Sequence, residues 1–217
     1  MKLLSLLITL LLVASCNKDK TEVEDVPEQP YIYPNSIPAG DSLSSNLLYT
    51  NIQPDISQSS FNVETYTNFD IDSDGIDDYQ FIVNSAYPFA GTWFNGCTVR
   101  IKTLTSNTEI ALGLTGILAI DSVYLFPKLY LENDSIENQS EWGTGEIYLS
   151  WNGDVPDDGC YAPNCPNSSF GPWFGMSDKY IGVRLDGNRL GWFKVSFPST
   201  NVNTGQTIII QEYGVLN

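Results

Sequence analysis

Short stretches in which apolar and polar residues alternate recur along most of this chain, and they restrict its fold more than any other feature. In 98–104, Val99 and Ile101 alternate with Arg100 and Lys102. A period of two places the two kinds of side chain on opposite faces of a β-strand. Turn-forming Gly, Asn, Asp, Ser and Pro lie between the stretches. The pattern predicts strands over 61–68, 79–84, 98–104, 109–114, 146–151, 180–185, 190–197 and 207–213.

Many short strands without a sustained helical pattern predict an all-β domain, an antiparallel β-sandwich or jelly roll. The segment 110–120 has enough apolar residues for a helix, but its glycines argue against one. Two long segments, 132–144 and 152–178, interrupt the strands with acidic and turn-forming residues. Long loops in compact domains often carry function, so these segments are candidates for it.

The first 15 residues predict export. Lys2 precedes an apolar run over 3–14, which is too short for a membrane-spanning helix of roughly 20 residues but suits a signal peptide. The sequence VASC at 13–16 resembles the lipobox of bacterial lipoproteins. That resemblance implies removal of 1–15 and a diacylglycerol on the thiol of Cys16. The alternative is an ordinary secretory signal with an incidental cysteine.

Residues 16–43 are expected to form a flexible acidic tether, because 17–30 is too polar to bury the surface that would offset its ordering entropy. The remaining residues, 44–217, suit one β-sandwich domain. Lys18 and Asp19 beside the anchor resemble the surface-export signals of Bacteroidetes-type lipoproteins. We therefore expect a protein of the cell envelope, anchored by lipid at the outer membrane or the cell surface.

The composition excludes several classes of function. The chain has 26 Asp and Glu against 10 Lys and Arg, and its net charge is -16. Nucleic acid is not an expected partner, because phosphate contacts require clustered Lys and Arg. The chain contains no histidine, which removes Ser-His-Asp and Cys-His catalysis and the usual zinc sites. An excess of carboxylates does suit divalent cations.

The cysteines other than Cys16 predict one disulfide. An exported protein meets an oxidising compartment, in which disulfides persist. Cys160 and Cys165 lie close together in a loop of turn formers and are expected to pair. Cys97 precedes an apolar strand and is expected to be a buried free thiol. Because the remaining number is odd, one thiol stays unpaired or pairs between molecules.

The segment 70–78 (DIDSDGIDD) has the spacing of a calcium-binding loop. Alternate carboxylates, on Asp70, Asp72 and Asp74, can converge on one cation, and calcium takes about six to eight oxygen ligands. Gly75 at the sixth position permits the sharp turn. Without a cation, carboxylates at such close range would repel one another. The alternative is an acidic, solvated hairpin turn.

The rest of the loop completes this pattern. Ile76 would offer its backbone carbonyl while its side chain packs inward, Asp78 would close the site, and Asp77 falls outside the ligand spacing. The loop differs from an EF-hand, because its twelfth position is Phe81 and its flanks are strands. It resembles the DxDxDGxxD loops of FG-GAP, thrombospondin type 3 and related exported proteins. This resemblance implies a structural calcium ion with the ligands Asp70, Asp72, Asp74, the carbonyl of Ile76, and Asp78.

A second resemblance lies near the C-terminus. The segments 179–185 (KYIGVRL), 191–195 (GWFKV) and 210–213 (IQEY) resemble the endings of exported bacterial β-proteins of unknown function. Those proteins often pair an acidic DxDG-type loop near their start with a YIGxxF…YGWxxL ending. The two resemblances together span most of 60–214. They imply an architecture and no activity.

The sequence thus predicts a membrane-tethered, calcium-stabilised β-sandwich with a non-enzymatic role in binding or in envelope structure. Its partners would be the membrane, through the lipid, and a polysaccharide or a surface protein. A glycan-binding surface is one alternative, because loop aromatics can stack on sugars, whereas Trp151 and Trp192 lie in strand patterns and suit the core. The loop aromatics are Trp93, Trp142, Trp173 and Phe174.

A carboxylate-dependent glycoside hydrolase is the second alternative. The segment 132–137 (ENDSIE) resembles the catalytic strand of laminarinase-type glycosidases, in which alternate carboxylates face one cleft. The carboxylates in question are Glu132, Asp134 and Glu137. Their neighbours are polar, whereas a buried catalytic strand needs apolar ones, so a solvated loop is the favoured interpretation.

Overall fold

The computed structural model describes residues 32–59, 63–86, 96–119, 122–153, 168–170, 172–173, 175–198 and 207–217. These residues form β-strands and turns without a helix, and so contain no helix that could cross a membrane. The strands are β1 (Ser36–Pro38), β2 (Leu47–Ser59), β3 (Glu64–Phe69), β4 (Tyr79–Ala86), β5 (Gly96–Thr103), β6 (Thr108–Ala119), β7 (Ser122–Pro127), β8 (Leu129–Tyr130), β9 (Ser135–Glu137), β10 (Trp142–Gly143), β11 (Glu146–Gly153), β12 (Ser168–Phe170), β13 (Lys179–Leu185), β14 (Arg189–Ser196) and β15 (Thr207–Leu216).

Two antiparallel sheets pack together. The larger one has eight strands in the order β10-β6-β13-β14-β15-β2, with β7 beside β6 and β8 beside β13. The smaller one has five strands in the order β12-β11-β5-β4-β3. The all-β antiparallel sandwich predicted from the alternation is confirmed. Each predicted strand corresponds to a strand of these two sheets.

The main core lies between the two sheets and is centred on Phe193 of β14. Its ring centroid lies 5.3 Å from that of Phe69 and 5.2 Å from that of Phe81, both on the small sheet. The centroids of Tyr79 and Tyr213 lie at 5.6 and 5.7 Å. Three of the four pairs meet edge to face, an arrangement that aromatic quadrupoles favour. Phe193 therefore joins the two sheets.

A second core covers the other face of the large sheet. The ribbon of β1 and β9 pairs Ile37 with Ile136 and packs both on that sheet, where Trp192 is fully buried. Ala39 is fully buried as well. The expectation that the flexible tether extends to residue 43 is therefore wrong, and the compact unit is Tyr33–Asn217. Strand β1 and the burial of Ile37 and Ala39 fix this part of the chain, which lies beyond the polar segment 17–30.

Candidate metal centre

The acidic segment 70–78 connects β3 to β4 at one end of the small sheet. Phe69 and Tyr79 pair across the base of this loop, and the amide of Asp78 donates to the carbonyl of Phe69 at 2.8 Å. Ser73 and Gly75 have φ values of 61° and 92°, so the backbone turns through the left-handed region twice. Paired strands and a tight turn therefore give the loop a defined shape.

Three of the four predicted carboxylates come together in this loop. One oxygen each of Asp70, Asp72 and Asp78 lies within 4.8 Å of the other two. Asp78 is buried, at 6% exposure, and the other two are half-buried. Carboxylates this close and partly withdrawn from water repel one another strongly. Their oxygens are the ligand type that calcium prefers, so the group fits a hard divalent cation.

Backbone amides of the loop orient two of these carboxylates. The Gly75 amide donates to Oδ2 of Asp70 at 2.8 Å, and the Asp74 amide donates to its Oδ1 at 3.2 Å. The Ile71 amide donates to Oδ2 of Asp78 at 3.0 Å. The chain thus wraps around the Asp70 side chain in the way that the tight DxDxDG spacing predicts.

Asp74 and the side chain of Ile76 are placed differently from the prediction. The carboxylate of Asp74 is exposed and outside the group of three, and it accepts from the amide of Ile76 at 2.8 Å. The expectation that the Ile76 side chain packs inward is wrong, because 58% of it is exposed. Ile71, two residues beyond the end of β3, packs inward instead and belongs to the main core. Asp77 is exposed and accepts from Nδ2 of Asn68 at 2.7 Å.

A side-chain cation reaches the loop from the other sheet. Arg189, the first residue of β14, forms ion pairs with Asp72 and with Asp186, the latter at 2.9 Å. Only 9% of the Asp72 side chain and 16% of the Arg189 side chain are exposed, so the first pair is poorly screened by water. The spacing of the carboxylates in the loop gives no indication that Arg189 is a partner of Asp72.

Burial raises the pKa of Asp78 to about 6, and the neighbouring carboxylates of Asp72 and Asp70 raise it as well, although the amide of Ile71 opposes the shift. The charged form of Asp78 therefore destabilises the cation-free fold above about pH 6. Because the folded state binds a proton more tightly than the unfolded state, this penalty disappears as the pH falls from 6 towards 4.

Asp78→Asn should therefore stabilise the cation-free protein at pH 7.5 by on the order of 2 kcal/mol, because asparagine keeps the oxygen and removes the charge. The gain over wild type should shrink to near zero at pH 4, where the wild-type carboxyl is protonated. Urea denaturation in EDTA at several pH values measures both quantities. A gain that stays constant between pH 4 and 7.5 would contradict the role of Asp78 ionisation.

The candidate sugar-binding aromatics do not all lie at a surface. Trp173 is fully buried and its indole N–H donates to the carbonyl of Pro127 at 2.9 Å, so this candidate is not available to stack on a ligand. Trp142 is half-buried, and the guanidinium of Arg184 lies 4.5 Å from its ring centroid. The other candidates, Trp93 and Phe174, lie outside the described residues.

The carboxylates of 132–137 lie on an exposed turn and ribbon. Glu132 and Asp134 precede β9, and Asp134 accepts from the amide of Leu131 at 2.7 Å, which closes the turn. Glu137 is exposed on β9. These residues therefore do not form the row of alternate carboxylates along one strand on which the resemblance to glycosidases depends.

The predicted lipidation site and disulfide lie outside the described residues: Cys16, Cys160 and Cys165. The backbone of Cys97 is part of β5 and pairs with Ser85 of β4. Comparison with known protein families, characterised proteins and solved structures finds no match for this chain. Its function therefore has to follow from its own residues.

Proposed function

We propose that this protein is a lipid-anchored β-sandwich of the cell envelope whose β3–β4 loop binds calcium, with a non-enzymatic role in binding or in envelope structure. The observation that carries the metal proposal is the convergence of Asp70, Asp72 and Asp78, with one oxygen of each within 4.8 Å of the others. These carboxylates are oxygen ligands of the kind that calcium prefers.

The position of the loop supports a structural role for the ion. Next to Asp78, the hydroxyl of Tyr79 lies 3.0 Å from the carbonyls of Glu109 and Arg184, both on the large sheet. The carbonyl of Asp78 accepts from the amide of Leu104 at 2.8 Å, just beyond β5. A cation at the loop would therefore stabilise the place where the two sheets meet.

The exposed carboxylates of 132–137 give little support to the glycoside hydrolase alternative. Glycosidases place two carboxyl groups on either side of one bound sugar, and one of them has an environment that raises its pKa. Asp134 instead closes a turn through its bond to Leu131. The glycan-binding alternative retains Trp142 among the described residues, with one ring face covered by Arg184.

The lipid anchor is tested by Cys16→Ser. We expect this change to abolish incorporation of fatty acid and to move the protein from the membrane to the soluble fraction, because the thiol is the acceptor of the diacylglyceryl group and each of its lipid chains supplies about 0.8 kcal/mol of membrane affinity per buried CH₂ group. Metabolic labelling with an alkyne-tagged palmitate measures acylation. Cys97→Ser is the matched control and should keep the label. Equal labelling of both variants would contradict the anchor.

A further inference from the structure

The ion pair between Arg189 and Asp72 joins the calcium loop to the large sheet. Arg189 is fixed at the start of β14, where it pairs with Leu185 in the β13–β14 ladder. Its Nε and one terminal nitrogen both donate to Oδ2 of Asp186, at 3.1 and 2.9 Å. The same terminal nitrogen contacts Oδ2 of Asp72. One guanidinium thus bridges a member of the carboxylate group and an acid of its own hairpin.

We propose that Arg189 is an internal counter-ion that competes with calcium for Asp72 and thereby sets the calcium concentration at which the loop fills. The inference rests on the proposed calcium function. Without metal, the guanidinium balances part of the charge of Asp70, Asp72 and Asp78. When calcium binds Asp72, Arg189 keeps its bonds to Asp186, so the exchange leaves no arginine unpaired.

Charge decides the direction of the effect. A positive group in contact with Asp72 repels a divalent cation bound to the same carboxylate, and both side chains are too buried for water to screen this repulsion fully. Asp186 offers Arg189 an alternative carboxylate that is half exposed. Arg189 therefore lowers calcium affinity and stabilises the calcium-free loop, which makes the site responsive to abundant calcium and insensitive to traces.

Arg189→Gln tests this role, with Arg189→Lys and Arg100→Gln as controls. Lysine keeps the charge at the site. Arg100 resembles Arg189 because it also bridges two carboxylates, those of Glu64 and Glu146, but neither belongs to the loop. Each full-length variant is purified in detergent, stripped of metal with EDTA, dialysed and titrated with calcium chloride by calorimetry. Thermal unfolding is recorded with and without calcium.

We expect Arg189→Gln to bind calcium about tenfold more tightly than wild type. Arg189→Lys should fall between the two, because lysine keeps the charge but not the fork that reaches both Asp72 and Asp186, and Arg100→Gln should bind within about twofold of wild type. Without calcium, Arg189→Gln should melt a few degrees below wild type, and saturating calcium should remove most of that gap. Calcium binding by Arg189→Gln but not by wild type would also support the competition.

Unchanged or weaker binding by Arg189→Gln would overturn the competition and leave the proposed calcium site intact. An equal increase in calcium affinity in Arg100→Gln would overturn the competition as well, because the loss of any positive charge from the protein would then explain the effect. Absence of calcium binding in wild type and in every variant would overturn the calcium function and this inference together. If Arg189→Gln fails to fold without metal, tight binding on refolding into calcium supports the proposal, and failure to refold there overturns it.

Discussion

Phe193→Ala should lower the free energy of unfolding by about 3–5 kcal/mol, close to the largest loss expected from one substitution in this chain. The ring is fully buried and lies between Phe69 and Phe81 of the small sheet and Tyr213 of the large one. Paired strands of both sheets hold the surrounding rings, so the cavity cannot collapse. Urea denaturation followed by tryptophan fluorescence measures the loss.

Two variants establish that packing causes this loss. Phe193→Leu refills part of the cavity and should recover about half of the stability. Leu43→Ala also removes a large apolar group, but 93% of Leu43 is exposed, so its free energy of unfolding should change by less than about 0.5 kcal/mol. Similar losses from Phe193→Ala and Leu43→Ala would contradict the position of Phe193 at the centre of the core.

The sandwich could be predicted from those strands that bury one face and leave the other in water. In β5, for example, Val99 and Ile101 are fully buried, whereas Arg100 lies on the opposite face. The glycines of 110–120 correctly argued against a helix, since this segment forms most of β6. Trp192 was assigned to the core from its strand pattern, and it is fully buried.

Strands β1, β2 and β9 could not be predicted from alternation. β2 contains Pro54, which cannot donate to a ladder and so obscures the strand pattern. β2 tolerates it because it is the last strand of its sheet and its register with β15 is interrupted between Asn51 and Ile56. β1 and β9 have three residues each, too few to show a period.

The carboxylate group was predictable because it is local. Nine consecutive residues contain all of its members, so the spacing alone predicted that Asp70, Asp72 and Asp78 converge, although it also included Asp74, whose carboxylate lies outside the group. Arg189 lies 117 positions from Asp72 in the sequence. No local pattern connects the two, because their contact depends on how the β13–β14 hairpin of the large sheet packs against the loop of the small one.

Calcium at 10 mM should raise the melting temperature of the wild-type protein by roughly 3–10 °C. Extracellular modules with such ligands often have Kd values of roughly 10⁻⁴ to 10⁻³ M. An excess of tenfold to hundredfold over Kd then stabilises the folded state by about 1.4–2.7 kcal/mol, provided that the unfolded chain does not bind. For a domain of this size, each kcal/mol corresponds to about 2–4 °C. Differential scanning calorimetry measures the shift.

Asp70→Asn should erase most of this calcium shift, whereas Asp77→Asn should preserve it. Both substitutions remove one negative charge from the same loop and keep the shape of the side chain. Asp70 belongs to the converging group, but Asp77 points to Asn68 instead. Magnesium should raise the melting temperature of wild type less than calcium does, because it needs a smaller, near-octahedral shell and gives up its waters reluctantly. Equal calcium shifts in the two variants would mean that the ion merely screens an acidic surface, and coordination by the loop would then be wrong.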